Sequence, residues 1–296
     1  MRITIAQEVP EIEVIPRKQF EKQFYFPQKP AVIKGLFAND PADGKWGLNF
    51  FKKQMGSLPV GIFDATLESV ERAYKKPHYQ MSFADYLQEI QQGPTRKRLF
   101  LFNAFKHNPS LLDDFRFPEI CGGFIRSFPF MFFGGEGSVT RAHQDVDMSC
   151  IFLTQFEGRK RVVLFDPIHS KLLYRLPFNV HTPVDIDNPD FDKYPGLQFV
   201  QGLETTLTYG DTLFIPSGWW HYIQYLDSGF SMSLRCLSPH KKDWIMGAWK
   251  VGVVSTLDDW LRKSIGKKKW YQYKEDRAIR LAQEEIDRIE RERVLA

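Results

Sequence analysis

Between about residue 98 and residue 238 the chain alternates, every few residues, between an apolar run rich in β-branched or aromatic side chains and a cluster of Gly, Pro or Asp. The runs are "RLFLFNAF", "FPFMFFGGEGS", "SCIFLTQFEG", "KRVVLFDP", "TTLTYGDTLFIPSG" and "HYIQYLDSGFSMSLRCL". Apolar runs this short cannot form helices of several turns, and strands joined by turns this tight pair with their neighbours; the spacing predicts a β-sandwich or barrel. At 296 residues the chain can bury a large core without disulfide staples. The fold expected is mainly β with helical appendages.

Residues 1–97 mix short β-like runs ("EIEVI", "PAVIKGLF", "LPVGIF") with the helical piece "MSFADYLQEIQQ", which Ser82 is placed to cap. This is a mixed α/β region packing on the barrel of residues 98–238. From 239 to 296 the apolar period becomes helical, with Trp244, Trp249, Trp260 and Leu261 on one segment and Ile279, Ala282, Ile286 and Ile289 at steps of three and four. That last stripe buries either against the barrel or against the helices of a second copy; the pattern alone does not choose, and a homodimer through the helices after residue 243 is the expectation.

Cys121, Cys150 and Cys236 form no C-x-x-C motif, so neither a disulfide framework nor a cysteine zinc site is indicated. No basic leader precedes an apolar core in "MRITIAQEVPEIEVIP", and "WIMGAWKVGVVSTL" (244–257) is too short to span a bilayer and carries Lys250. The expectation is a soluble, cytoplasmic protein with no membrane partner. A net charge of +4 does not by itself call for nucleic acid, although "GRKR" (158–161) and "KSIGKKKW" (263–270) are locally basic.

In "GSVTRAHQDVDMSCIFL", His143 and Asp145 are two apart, so on a strand both project from one face; Asp147 shares that parity. His221, in "GDTLFIPSGWWHYIQYL", opens a later strand behind a Pro216–Ser217–Gly218 turn. Two imidazoles and a carboxylate suit Fe(II) and leave three coordination positions open, whereas a structural zinc site would be closed. Lys160 shares a strand face with Val162 and Leu164, which allows it to point inward while Arg159 and Arg161 point out; a solvated basic triplet is the alternative. A buried ammonium needs a counter-ion. In "FPFMFF", Phe128, Phe130 and Phe132 face one way and Pro129, Met131 and Phe133 the other. Trp219 and Trp220 either wall the metal pocket or pack structurally.

"GEGSVTRAHQD", "FEGRKRVVLFDP", "VDIDNPDFDKYP" and "ETTLTYGDTLFIPSGWWH", in this order, resemble the JmjC and cupin-like Fe(II)/2-oxoglutarate-dependent oxygenases, most closely the small hydroxylase branch that includes the factor inhibiting hypoxia-inducible factor. The resemblance implies a double-stranded β-helix (jelly roll) with the metal inside one open end. It implies His143, Asp145 and His221 as iron ligands, with Thr140 and Lys160 on the distal carboxylate of 2-oxoglutarate. Where the family often has a tyrosine and an asparagine near the cosubstrate, this chain has Phe100 and Arg235. Arg235 is then a candidate donor to the dicarboxylate, or a residue that reaches solvent.

The activity implied is hydroxylation of a substrate C–H by O2, with 2-oxoglutarate converted to succinate and CO2. A protein or peptide side chain is the first substrate expected, and a tRNA base the alternative within the family. A different class of reading is a metal-binding cupin-like interaction module without turnover; retention of the triad together with Lys160 argues against it.

Overall fold

The computed structural model describes residues 2–64, 76–127 and 129–295. Fourteen strands lie among them: β1 (Thr4–Glu8), β2 (Glu11–Glu13), β3 (Ala31–Lys34), β4 (Pro59–Asp64), β5 (Tyr79–Ser82), β6 (Lys97–Phe102), β7 (Phe130–Gly134), β8 (Val139–His143), β9 (Cys150–Glu157), β10 (Lys160–Phe165), β11 (Gln201–Leu207), β12 (Asp211–Ile215), β13 (Trp220–Tyr225) and β14 (Gly229–Cys236). They form one sheet in the order β1-β11-β10-β13-β8 and another in the order β2-β3-β12-β9-β14-β7-β6-β4-β5. Within the 130–236 segment every pairing is antiparallel, with β10 set between β11 and β13, and β9 between β12 and β14. This is a jelly roll of the double-stranded β-helix type: the turn spacing predicts a sandwich or barrel, and the family resemblance its type.

The first 97 residues do not form a separate layer. β1 extends the five-stranded sheet as a parallel neighbour of β11, while β3 pairs with β12 and β4 with β6 in the other sheet. The short helices α1 (Arg17–Phe20), α2 (Leu48–Met55), α3 (Phe83–Gln92) and α4 (Ala104–His107) lie among these strands. Ser82 caps α3 as its position predicts, its Oγ accepting from the Asp85 N–H at 3.1 Å.

Three apolar clusters follow from strand parity. Val162, Leu164, Leu153, Leu213 and Ile215 fill the space between the sheets. Outside the nine-stranded sheet, Phe152, Phe214, Phe230 and Phe133 pack against Phe20, Phe51 and Phe83; edge-to-face pairs such as Phe51–Phe133 at 5.6 Å add to the burial. Outside the five-stranded sheet, Val163, Phe165, Trp220 and Tyr222 meet Leu173 and Leu176 of the connection between β10 and β11. β10 is therefore buried on both faces, which is why "RVVLF" reads as a continuous apolar run rather than an alternating one.

The chain ends in α5 (Lys241–Trp249), a π-turn over Lys250–Val254, α6 (Ser255–Ile265) and α7 (Lys267–Leu295). The open question about the C-terminal stripe is answered by the third cluster: Ala278, Ala282 and Ile286 are buried in it and Ile289 packs at its edge. The stripe covers the barrel, and Ile279, two turns before Ile286, is less completely covered, 37% exposed. Among the described residues no helix is long and apolar enough to cross a membrane. Cys121, Cys150 and Cys236 are free and buried, the first and last with sulfurs 3.5 Å apart.

Candidate metal centre

His143 is the last residue of β8 and His221 the second of β13; the strands pair so that the two residues stand opposite each other. Gly218, at φ +73°, makes the turn that aims β13, and a Cβ there would meet the Met148 methyl at 3.0 Å, so glycine is the residue that fits. Asp145 corrects one expectation. It does not share the strand with His143, because β8 ends there and Gln144 turns away, its N–H donating to the Val180 carbonyl and its side-chain amide to the Gly218 carbonyl (2.6 Å). A turn closed by the Met148 N–H on the Asp145 carbonyl presents the carboxylate instead.

The potential ligand atoms of His143, Asp145 and His221 all lie within 4.8 Å of one another, close enough to share one metal ion. The His143 Nδ1 lies 2.9 Å from the Arg141 carbonyl oxygen and the His221 Nδ1 3.3 Å from that of Trp219. A proton on each Nδ1 makes Nε2 the nitrogen with a lone pair. Burial, and for His143 the neighbouring His221 and His181 rings, hold both imidazoles below their usual pKa, so they are neutral at pH 7. Burial alone would raise the Asp145 carboxyl; Arg235, His221 and His143 outweigh it and bring it down to about 2. Two neutral imidazoles beside an ionised carboxylate are the donor set a divalent cation requires.

The triad opens on a cavity of about 270 Å³ that Thr140, Lys160 and Arg235 also line. Lys160 is buried, with Arg161 half-buried beside it, as strand parity predicts. Its ammonium donates to the Ser231 hydroxyl and lies 4.2 Å from the centre of the Tyr225 ring. Among the described residues no carboxylate pairs with it, and burial pushes its pKa well below the usual 10.5. The Thr140 hydroxyl accepts from Arg98, a buried residue that also stacks its guanidinium 5.1 Å from Phe100. Phe100 and Phe132 contribute apolar wall; Phe128 lies outside the described residues.

Arg235 is largely buried rather than extended into solvent: its guanidinium is engaged by Asp145, Asp147 and Ser149. Neither tryptophan of the "GWWH" run lines the cavity. Trp219 packs between the sheets with its indole N–H on the Gln28 carbonyl, and Trp220 packs outside with its N–H on Ser170.

Sequence reasoning missed Ser231, Ser233, Tyr225, Arg98 and His181, all of which line the cavity. Alternation in "SMSLRC" could have found the serines, since Met232 and Leu234 face the outer cluster and Ser231, Ser233 and Arg235 the interior. His181 sits in a loop, its ring 5.6 Å from that of His143, and no local pattern marks it.

Residues 16–236 match the cupin-like domain family. The chain is 28% identical over 235 residues to lysine-specific demethylase 8 of Xenopus tropicalis and 30% identical over 239 residues to that of Danio rerio, covering 76% and 77% of this chain. It spans only 52% and 58% of those proteins. It is also 28% identical over 249 residues to the human tRNA wybutosine-synthesizing protein 5, covering 76% of each. A jelly roll with two histidines and an aspartate converging at one end, matched over most of its length, identifies the chain as a member of the cupin-like, JmjC-type oxygenase family.

Proposed function

We propose that this chain is an Fe(II)- and 2-oxoglutarate-dependent oxygenase that hydroxylates a C–H bond of a protein side chain, releasing succinate and CO2. The observation that carries this reading is Lys160: a buried ammonium held by one hydroxyl and one ring, in the same cavity as His143, Asp145 and His221. Burying a lone cation is costly, and a dicarboxylate entering the cavity offsets that cost. The donor set fits the metal equally well, with one anion and two neutral nitrogens for a borderline ion. Bound together, Fe(II) and 2-oxoglutarate supply the redox chemistry that activates O2 for insertion into C–H.

The chain's own residues bind and orient. Lys160 and Thr140 anchor the far carboxylate, Ser231 holds the ammonium in place, and Ile151, Leu153, Ile215 and Ile223 keep the inner end dry. None of these roles requires a side chain to act as general base. The test is to add 2-oxoglutarate anaerobically to the Fe(II) protein: a visible charge-transfer band and, on admitting air, succinate formation are expected. Absence of both at millimolar 2-oxoglutarate rejects the proposal.

RNA is the second reading, and one observation favours it. Beside the Asp145–Met148 turn is a cleft of about 940 Å³ bearing Lys171, Arg175, Lys242, Lys250 and Arg288 against Asp243 and Glu285. The Lys250 ammonium donates to the Met148 thioether at 3.0 Å, and burial together with Arg175 pulls its pKa down to about 8. Such cations suit phosphodiesters, whose binding would weaken steeply with salt. Succinate formation stimulated by tRNA and not by protein substrates would move the assignment to this reading.

The homodimer belongs to the same proposal, on a surface other than the C-terminal stripe. Trp244, Ile245 and Trp249 of α5, with Val251 and Trp260 beyond it, are exposed. Monomers seldom leave such a patch wet, and a second copy of the chain is the occupant proposed. Light scattering of the full chain at micromolar concentration tests it: a dimer that Trp249→Glu with Trp260→Glu converts to monomer is expected, and a monomeric parent refutes it.

A further inference from the structure

Two carboxylates, Asp145 and Asp147, lie on the turn that supplies the metal site, and one side chain holds both. Arg235 projects from β14 and is largely buried. Its Nη1 donates to Asp145 Oδ2 at 3.1 Å and its Nη2 to Asp145 Oδ1 at 3.3 Å, so the two terminal nitrogens face the two oxygens end-on. Nη1 also reaches both oxygens of Asp147, at 2.9 and 3.0 Å, and the Ser149 hydroxyl at 2.8 Å. Ser149 also holds Asp147 through its hydroxyl, 3.1 Å from each oxygen and beside the same Nη1.

The end-on fork matters because of where a carboxylate's lone pairs point. A metal chelated by both oxygens must sit in the arc in front of the carboxylate, and a guanidinium bonded to both oxygens occupies that arc. Asp145 can then reach a metal through one oxygen only, outside the fork. Asp147 is the turn's other carboxylate, but its oxygens are engaged by Arg235 and Ser149, and it stands outside the group that can share an ion. The guanidinium placed near a cationic site has a second carboxylate, Asp147, against it.

We infer that Arg235 is a positioning residue that limits Asp145 to one metal-facing oxygen and keeps Asp147 off the metal. The coordination positions that a chelating cosubstrate and O2 need thereby stay open. This inference rests on the proposed metal site. It gives Arg235 a role toward the ligand carboxylate rather than toward the dicarboxylate.

The test uses the Co(II)-loaded full chain, whose ligand-field absorption reports coordination number without any turnover. Arg235→Leu and Arg235→Lys, the latter keeping the charge but unable to span two oxygens, are both expected to bind Co(II) with an altered spectrum before any 2-oxoglutarate is added. Affinity for 2-oxoglutarate should fall about tenfold or more, the range seen when a group that orients a ligand is lost. Adding Asp147→Asn to Arg235→Leu should recover part of that loss. A parent-like Co(II) spectrum in Arg235→Lys overturns the inference even if 2-oxoglutarate weakens, because Arg235 would then act on the cosubstrate directly. Loss of Co(II) binding from a folded Arg235→Leu protein overturns it too, reducing Arg235 to a prop for Asp145. A parent chain that binds Co(II) but no 2-oxoglutarate refutes the oxygenase reading and leaves the spectral comparison valid.

Discussion

His221 and His143 face each other across the β13–β8 pair with ring centroids 4.2 Å apart, although 78 residues separate them in the chain. A strand register fixes their spacing more rigidly than a loop would, so the site is preorganised before metal arrives. Substituting His143, Asp145 or His221 by alanine is expected to abolish iron-dependent succinate formation while circular dichroism stays that of the parent, because these side chains sit at an open cavity and not in the apolar clusters. Full turnover in Asp145→Ala would falsify the assignment and direct attention to Asp147.

Lys160→Met is expected to weaken 2-oxoglutarate selectively. Breaking a buried charge pair costs about 2 to 5 kcal/mol, roughly 30-fold to several thousand-fold in affinity. Metal affinity should be almost unchanged, since Lys160 is not a ligand. Anaerobic titration of the Fe(II) protein reads both quantities, and an unaltered 2-oxoglutarate affinity rules out Lys160 as the anchor.

Lys160 also gives a pH signature. Burial lowers its folded pKa below the usual 10.5, so between the two values the unfolded chain binds the extra proton. Stability of the apo protein from this group therefore rises with pH up to about the unfolded pKa. Lys160→Met should remove that rise, measured as chemical denaturation midpoints across alkaline pH. A dicarboxylate favours the ammonium, so its binding should take up protons wherever the free lysine is partly neutral. Calorimetry in buffers of different ionisation enthalpy detects this, and a wild-type chain with no Lys160-dependent proton uptake at alkaline pH contradicts it.

Two isoleucines seven residues apart, on nearly the same side of α7, are covered unequally by the barrel. Ile286 is 5% exposed and Ile279 37%. Ile286→Ala is expected to cost about 2 to 4 kcal/mol as a large-to-small core change, and Ile279→Ala about 1 kcal/mol, because that side chain is only partly covered. Equal losses in urea denaturation would mean that α7 does not pack as described.

The sequence by itself determined the strand-and-turn architecture, because a two-residue period and Gly, Pro and Asp punctuation are local properties. The same parity turned Lys160 inward beside Val162 and Leu164, and the "AHQD" and "GWWH" motifs, through the family they resemble, pointed to the three side chains whose donor atoms converge within 4.8 Å. Only the tertiary structure decided what those side chains meet. Register between β8 and β13 joined residues far apart in the chain, and β14 carried Arg235 to Asp145 and Asp147, which no short-range pattern encodes. It also set the C-terminal stripe on the barrel through Ala278, Ala282 and Ile286, and left Trp249 and Trp260 outside. An amphipathic period states that a face must be covered, but what covers it depends on where the rest of the chain has already folded.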